Sequence, residues 1–343
     1  MQSSSVPQGP VMVACGADAK YSMSLAVTLY SLLTSMENRA AIELYVVDGG
    51  MGEENMSRLR RVVAQAAKNK ALNCRLHLLD VEESVANTLK SLPQAGQLNY
   101  TVYLRLLLPI LLPTNCEKVI YVDSDMMFLE NIEELWKSDV SHKAVLAVQD
   151  YMIQTVSSPL GLGNYAALGY GPDHVYFNSG LLVINLKRWR DEQVLTRVMS
   201  YNQERRECIQ FADQDGLNAV LGKDCGLLDL RWNVTILSPD LNHWSDSALK
   251  EQVSARFAEL CNYPAVVHYA AGSKPWLVGN FALQRSQWYR FLRLCGWFTP
   301  TDFLNHLSRW TIRYACSYAG NMWQKGVQKI PFGRSTSFGH SDT

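Results

Sequence analysis

Apolar and polar positions alternate along the first third of the chain in two distinct rhythms. Val11-Met12-Val13-Ala14-Cys15 is a short apolar run of the kind a buried strand needs. From Ser22 to Ser35 the apolar positions Leu25, Ala26, Leu29, Leu32 and Leu33 recur at helical spacing. Ile42 to Val47 reads as a strand closed by the turn Asp48-Gly49-Gly50. A second helix is expected from Glu53 to Lys68, with Met56, Leu59, Val62, Val63 and Ala66 on one face, and Leu76 to Leu79 is the next strand candidate. Strands separated by helices of this length predict a parallel sheet covered by helices on both faces.

The rhythm reaches Lys118-Val119-Ile120-Tyr121-Val122 and then breaks. Ala144–Val148, Gly180–Asn185, Gly226–Leu230 and Ala265–Tyr269 read as strands, but their connections are long and irregular, and Gly161-Leu162-Gly163 and Gly169-Tyr170-Gly171-Pro172 mark an extended loop. From about Phe281 the chain changes character. Up to Arg334, the bases Arg285, Arg290, Arg293, Arg309, Arg313, Lys325, Lys329 and Arg334 face one acid, Asp302, so the net charge of +0 hides a polarised chain. The expected organisation is one α/β catalytic domain over residues 1–280, a basic aromatic helical extension over 281–332, and a small polar tail over 333–343 without fixed structure.

Composition excludes several classes. Equal numbers of basic and acidic residues, 32 of each among 343, argue against a general nucleic-acid binder. The longest apolar stretch, Leu106 to Leu112, is far shorter than the roughly 20 residues of a membrane span. Met1-Gln2-Ser3-Ser4-Ser5 has neither the basic nor the apolar region of a secretion signal. Eight cysteines without a C-x-x-C pair read as reduced thiols, so the expectation is a cytoplasmic protein without structural zinc.

The candidate chemistry begins at Asp123-Ser124-Asp125, directly after the strand ending at Val122. The carboxyl ends of strands are where open α/β sheets bind ligands. Side chains at i and i+2 point the same way in extended backbone, and two carboxylates so aimed repel unless a cation lies between them. A solvated turn is the plainer reading of an isolated D-x-D. His268-Tyr269-Ala270-Ala271-Gly272-Ser273-Lys274-Pro275-Trp276 supplies an imidazole at a second strand end, then a small-residue loop and a cation. Nitrogen ligation beside two carboxylates favours Mn²⁺ over Mg²⁺, and Lys274 would face a phosphate. A core histidine and a surface lysine are the alternatives. Phe177-Asn178-Ser179-Gly180 and Asp213-Gln214-Asp215 bring amides and carboxylates to the ends of apolar segments, as a hydroxyl-rich ligand requires, though Asn178 could close a turn and Asp213 cap a helix.

These motifs in this order resemble glycosyltransferase family 8, retaining transferases that include bacterial lipopolysaccharide galactosyl- and glucosyltransferases. The likeness runs over roughly residues 10–280. It adds Ala17-Asp18 after the first strand and Tyr103-Leu104-Arg105-Leu106 before the D-x-D. The resemblance implies a GT-A type domain, a Rossmann-like mixed sheet flanked by helices, with a helical C-terminal extension. It implies Mn²⁺, with Mg²⁺ as the alternative, held by Asp123, Asp125 and His268, and a UDP-glucose or UDP-galactose donor. Asp18, with backbone near Ala17, stands at the uracil position; Gly272 and Lys274 at the diphosphate; Arg105, Ser124, Asn178, Ser179 and Asp213 around the donor. Gln214 lies beneath the anomeric carbon, and Gln214, Asp213, Arg105 and Asn178 form the catalytic set. The family usually carries Gly three residues after the histidine, where this chain has Ala271 and then Gly272.

A weak amide nucleophile at Gln214 favours front-face attack by an acceptor hydroxyl, with the leaving phosphate taking its proton. The loop Tyr151–His174 is expected to shape the acceptor site and Asp150 to touch the acceptor, but loop composition does not say which glycan, glycolipid or small molecule that is. A sugar nucleotidyltransferase is disfavoured, because the stretch Cys15-Gly16-Ala17-Asp18-Ala19-Lys20 lacks its Gly-rich basic signature; a non-catalytic sugar-nucleotide-binding protein is disfavoured by the intact acidic pair. Trp288, Trp297, Trp310 and Trp323 among the arginines fit either peripheral contact with the inner face of a membrane or packing against the catalytic domain.

Overall fold

The computed structural model describes residues 9–94, 99–235, 248–270, 274–277 and 282–305. Strands and helices alternate through the first part: β1 (Val11–Ala17), α1 (Ser22–Ser35), β2 (Ala41–Asp48), α2 (Glu53–Lys70), β3 (Asn73–Leu79) and α3 (Glu83–Ser91). A 3₁₀ helix (Tyr100–Leu107) runs into α4 (Leu108–Leu111) and then β4 (Lys118–Val122), β5 (Met126–Phe128), α5 (Ile132–Trp136) and β6 (Val145–Gln149). After the long loop come β7 (Phe177–Asn185), α6 (Leu186–Asp191), α7 (Val194–Glu204), α8 (Asp213–Leu221) and β8 (Cys225–Leu227). The remaining elements are α9 (Ala248–Ala255), α10 (Phe257–Asn262), β9 (Val266–His268) and α11 (Arg285–Leu294).

Seven strands form one sheet in the order β3-β2-β1-β4-β7-β6-β8, with β7 antiparallel to both of its neighbours. The expected mixed sheet flanked by helices is therefore present. Its first four strands run parallel, and the alternation of side chains along them feeds two cores. Val11, Val13, Cys15 and Ala17 of β1 pack toward α1, α2 and α11, whereas Ala14 faces the opposite layer with Tyr45 and Val47 of β2. That second layer is built from Tyr103, Leu104, Leu106 and Leu107, with Trp189 of α6, Val198 of α7 and Leu217 of α8. Burial on both faces explains why these strands read as near-continuous apolar runs.

Several strand bounds differ from those expected: the candidate at Leu76 begins at Asn73, and the run Ala265–Tyr269 is a strand only over Val266–His268. The run read as starting at Gly180 begins at Phe177, because β7 is central and all nine of its residues are buried. The run read as Gly226–Leu230 pairs only over Cys225–Leu227. Asp229 then accepts the backbone N–H of Arg231 and starts a 3₁₀ turn, Leu230–Asn233. The loop between β6 and β7 closes on its own small core of Ile153, Val156, Leu162, Tyr170 and Tyr176.

A second, two-stranded sheet positions the site. β5 pairs antiparallel with β9, matching Met126 to His268. That pairing sets the end of β9 beside the turn that follows β4, although about 140 residues separate them in sequence. On the far side, α11 buries Trp288 and Leu292, and Trp288 lies 5.3 Å from Trp276. The Arg58 guanidinium of α2 lies over the ring of buried Trp297, 5.8 Å from its centroid. These two tryptophans are thus spent on packing. Trp310, Trp323 and the 333–343 tail lie outside the described residues. Among the described residues no helix is long and apolar enough to cross a membrane.

Candidate functional site

A cavity of about 760 Å³ opens at the carboxyl ends of β1 and β4. That volume is within the range of a site for a nucleotide-sized ligand. Arg105, Asp123, Ser124, Asp125, Asn178, Ser179, Asp213, Gln214, His268 and Lys274 all line it, so ten of the thirteen residues singled out from sequence converge. Gly272 lies outside the described residues. Ala17 and Asp18 sit just behind the wall made by Gly16, Lys20, Tyr21, Asn99 and Thr101. Ala17 is buried with its carbonyl accepting from Gly49, and the Asp18 carboxylate accepts from Asn99 Nδ2 at 2.7 Å and from the Tyr21 N–H at 3.0 Å.

Asp123, Asp125 and His268 each offer one ligand atom within 4.8 Å of the others. His268 Nε2 lies 3.3 Å from Asp125 Oδ1 and 3.7 Å from Asp123 Oδ2. The turn is braced from outside: Ser24 and Thr28 of α1 donate to the Ser124 carbonyl at 2.8 and 3.0 Å, and the Asp123 N–H is held by Gly180. Gly180 is required here for space. A Cβ at that position would stand 2.4 Å from His268 Cε1 and 2.9 Å from Asp123 Oδ2. Two carboxylates and one imidazole around a gap kept open by a glycine fit a hard-to-borderline divalent cation.

Charge compensation inside the site is uneven. Burial by itself would raise the Asp125 carboxyl, but Lys274, which hydrogen-bonds its Oδ2, and His268 outweigh burial and hold it well below the usual carboxylate range. The Lys274 ammonium is buried between Tyr21 and Trp276; burial works against its charge, and Asp125 more than restores it. Arg105 forks between Asp123 Oδ1 at 2.9 Å and Asp213 Oδ2 at 3.0 Å, stacks 4.5 Å from the Tyr121 ring, and also donates to the Ser179 carbonyl. Asp213 is different: burial, with the neighbouring charge of Asp123 adding to it, pushes its carboxyl up to about 7 against the opposing pull of Arg105 and Ser179. It is the first residue of α8 and spends its carboxylate on Arg105 and the Ser179 hydroxyl, so it does not cap that helix.

Gln214 is also held. Its Oε1 accepts the Ser179 N–H at 2.9 Å and its Nε2 donates to Asp150 Oδ2 at 3.2 Å. Asn178 lies within β7 rather than in a turn; its Oδ1 accepts the Gly180 N–H at 2.9 Å and it lines the cavity. Asn233, Tyr121 and Gly180 are functional neighbours that sequence reasoning missed. Tyr121 donates to Asp123 Oδ1 at 2.8 Å, and Asn233 Oδ1 contacts His268 Nδ1 at 2.9 Å. The one available signal for Tyr121 was its place two residues before the D-x-D; Asn233 lies in an aperiodic segment and gave none.

The acidic pair and the cation gather at the carboxyl edge of the sheet, where open α/β sheets bind their ligands. Comparison with known proteins makes this specific. The model of glycosyl transferase family 8 matches residues 12–278, and the chain belongs to that family and is a glycosyltransferase. General stress protein A of Bacillus subtilis is 27% identical over 292 residues, covering 84% of this chain and 94% of that protein. Lipopolysaccharide 1,3-galactosyltransferase of Salmonella typhimurium is 23% identical over 313 residues, covering 90% and 85%. Among solved structures, the galactosyltransferase LgtC in complex with donor and acceptor sugar analogues superposes with a TM-score of 0.69 at 21% identity, over 86% of this chain and all of that one. That likeness is one of fold alone.

Proposed function

We propose that the chain is a retaining hexosyltransferase that moves glucose or galactose from a UDP-sugar to an acceptor hydroxyl, with Mn²⁺ held by Asp123, Asp125 and His268. The observation that carries the reading is the meeting of those three side chains, with the Lys274 cation beside them, in a cavity of nucleotide size. A bound divalent ion supplies Lewis-acid neutralisation of the departing diphosphate. Lys274 adds a buried positive charge there without transferring a proton. The base end of the donor lies against Gly16, Lys20, Tyr21, Asn99 and Thr101, with Asp18 fixed behind them by Asn99. Gly272 remains a proposed diphosphate contact, Ser124 a proposed donor contact, and Arg105, Asn178, Ser179 and Asp213 the proposed shell around the sugar.

The reaction breaks the bond from the anomeric carbon to the diphosphate oxygen and forms one to the acceptor oxygen; the acceptor's proton leaves on the diphosphate. The amide oxygen of Gln214, one carboxylate oxygen of Asp213 and both oxygens of Asp150 are already held by donors. Gln214 Oε1 is held by Ser179, Asp213 Oδ2 by Arg105 and Ser179, and Asp150 by four N–H groups. Oxygens so occupied are poor nucleophiles, which supports front-face attack with retention and no covalent adduct. Residues 1–280 form the proposed catalytic domain, and the basic remainder a proposed peripheral contact with the inner face of a membrane in a cytoplasmic enzyme. The test is UDP release from UDP-glucose and UDP-galactose with Mn²⁺ and with EDTA. Release that needs the ion supports the reading, and release from neither donor refutes it.

A further inference from the structure

His268 does not meet the acidic pair unassisted: a chain of buried side chains leads from its far nitrogen to Asp150, a carboxylate on the opposite wall of the cavity. Asp150 Oδ1 accepts the N–H groups of Met152 and Ile153, both at 2.8 Å, and Oδ2 accepts Asn178 Nδ2 at 2.8 Å and Gln214 Nε2 at 3.2 Å. Four donors fill this carboxylate, leaving it nothing to offer a sugar hydroxyl or an anomeric carbon. Asn178 Oδ1 accepts Asn233 Nδ2 at 2.9 Å, and Asn233 Oδ1 lies 2.9 Å from His268 Nδ1. Asp150, Asn178, Asn233 and His268 are all buried, which limits competition from water along the chain.

The direction of the chain follows from groups that have only one role. An ionised carboxylate only accepts and a backbone N–H only donates. Asp150 therefore demands the NH₂ of Asn178, and the Gly180 N–H independently demands its oxygen. With Asn178 so fixed, Asn233 turns its NH₂ toward it and its oxygen toward His268. His268 Nδ1 must then carry a hydrogen, and Nε2 is the nitrogen left facing Asp123 and Asp125. The same Asp150 oxygen holds Gln214 with its amide oxygen on Ser179. Outer partners of this kind set a ligand's tautomer and orientation.

We propose that Asp150 is a positioning residue which, through Asn178 and Asn233, sets the tautomer and aim of His268, and at the same time orients Gln214. The inference rests on the proposed cation site but is tested apart from it. In ¹⁵N-histidine-labelled full-length protein free of metal and nucleotide, the Nδ1-bound proton of His268 gives a slowly exchanging signal. Asp150→Asn removes one of the two one-way anchors, because either amide orientation sets NH₂ against two donors, and leaves Asn178 directed by the Gly180 N–H alone. The Nδ1–H signal then exchanges faster, and Mn²⁺, measured by its free-ion electron paramagnetic resonance signal, binds about tenfold more weakly. Asn233→Ala gives a loss of about 10–100-fold, and the double variant binds no more weakly than Asn233→Ala alone. A folded Asp150→Asn protein with the wild-type histidine signal and Mn²⁺ affinity, even one with a lowered melting temperature, overturns the proposal. Should that variant not fold, the same two unchanged readouts in Asn233→Ala overturn it. Failure of the wild type to bind Mn²⁺ refutes the cation site alone, and the histidine signal still decides the chain.

Discussion

Gly180→Ala adds a single methyl to a central strand and places it in the middle of the triad. The new Cβ would stand 2.4 Å from His268 Cε1, 2.9 Å from His268 Nδ1 and 2.9 Å from Asp123 Oδ2. Ordinary carbon contacts are about 3.5–4.0 Å, so the imidazole has to retreat by about an ångström or more. It has little freedom to do so. Its backbone is paired through β9 to β5 and its N–H is bonded to Val234 at 2.8 Å, while Nδ1 is tied to Asn233. Backbone strain is not a factor, since Gly180 is not among the glycines with positive φ. Overpacking of this kind costs about 1–3 kcal/mol of stability. The larger effect falls on the ion, whose ligand distances tolerate only about 0.2 Å. Mn²⁺ affinity is expected to drop at least as far as when an outer partner is lost, about 10–100-fold, or ~1.4–2.7 kcal/mol. Calorimetric titration of Mn²⁺ into the folded variant measures this, with melting curves to separate the stability cost. Gly163→Ala is the control, because a Cβ there meets nothing within 4 Å. A folded Gly180→Ala protein that binds Mn²⁺ like the wild type refutes the placement of the ion between His268 and Asp123.

Lys274→Met leaves Asp125 buried without its ammonium, and breaking a buried pair in this way costs about 3–5 kcal/mol. Because Mn²⁺ can replace the missing charge, the rise in melting temperature on adding the ion is expected to be larger in Lys274→Met than in wild type; an equal rise speaks against Asp125 as a ligand. Asp213, with its carboxyl near 7 in the folded chain against about 3.9 unfolded, binds its proton more tightly when native. Its contribution to stability is complete below about pH 4 and lost as pH rises toward 7, at up to about 1.4 kcal/mol per pH unit in between. Urea unfolding of wild type and Asp213→Asn over that window tests it: only the wild type should show this slope. Trp288→Ala removes a fully buried ring that touches Trp276 of the cavity wall and is expected to cost about 3–5 kcal/mol. Trp288→Phe should cost much less, because the Trp288 indole N–H is buried without a partner; melting temperatures of the two variants decide this.

Where the chain repeats itself, the sequence is legible. The parallel half of the sheet and its helices follow from apolar spacing alone, because both faces of β1 and β2 are buried and α2 must show one stripe to the core. Asp123 and Asp125 stood out for the same reason: they interrupt an apolar strand at its carboxyl end. His268 could be suspected only as a strand-end histidine, since its place beside them depends on a three-residue pairing, β5 with β9, that no periodicity announces. The loop between β6 and β7 was read only as irregular, and it folds around five side chains at uneven spacing. Asn233 shows the limit most clearly. An asparagine in a 3₁₀ turn is an unremarkable residue on paper, and its importance comes wholly from partners at positions 178 and 268. Such roles are set by hydrogen-bond direction across the fold, which a one-dimensional pattern does not encode. Asp150 shows the same limit: its place beside a loop does not announce the four inward donors that its carboxylate accepts where it lines the cavity.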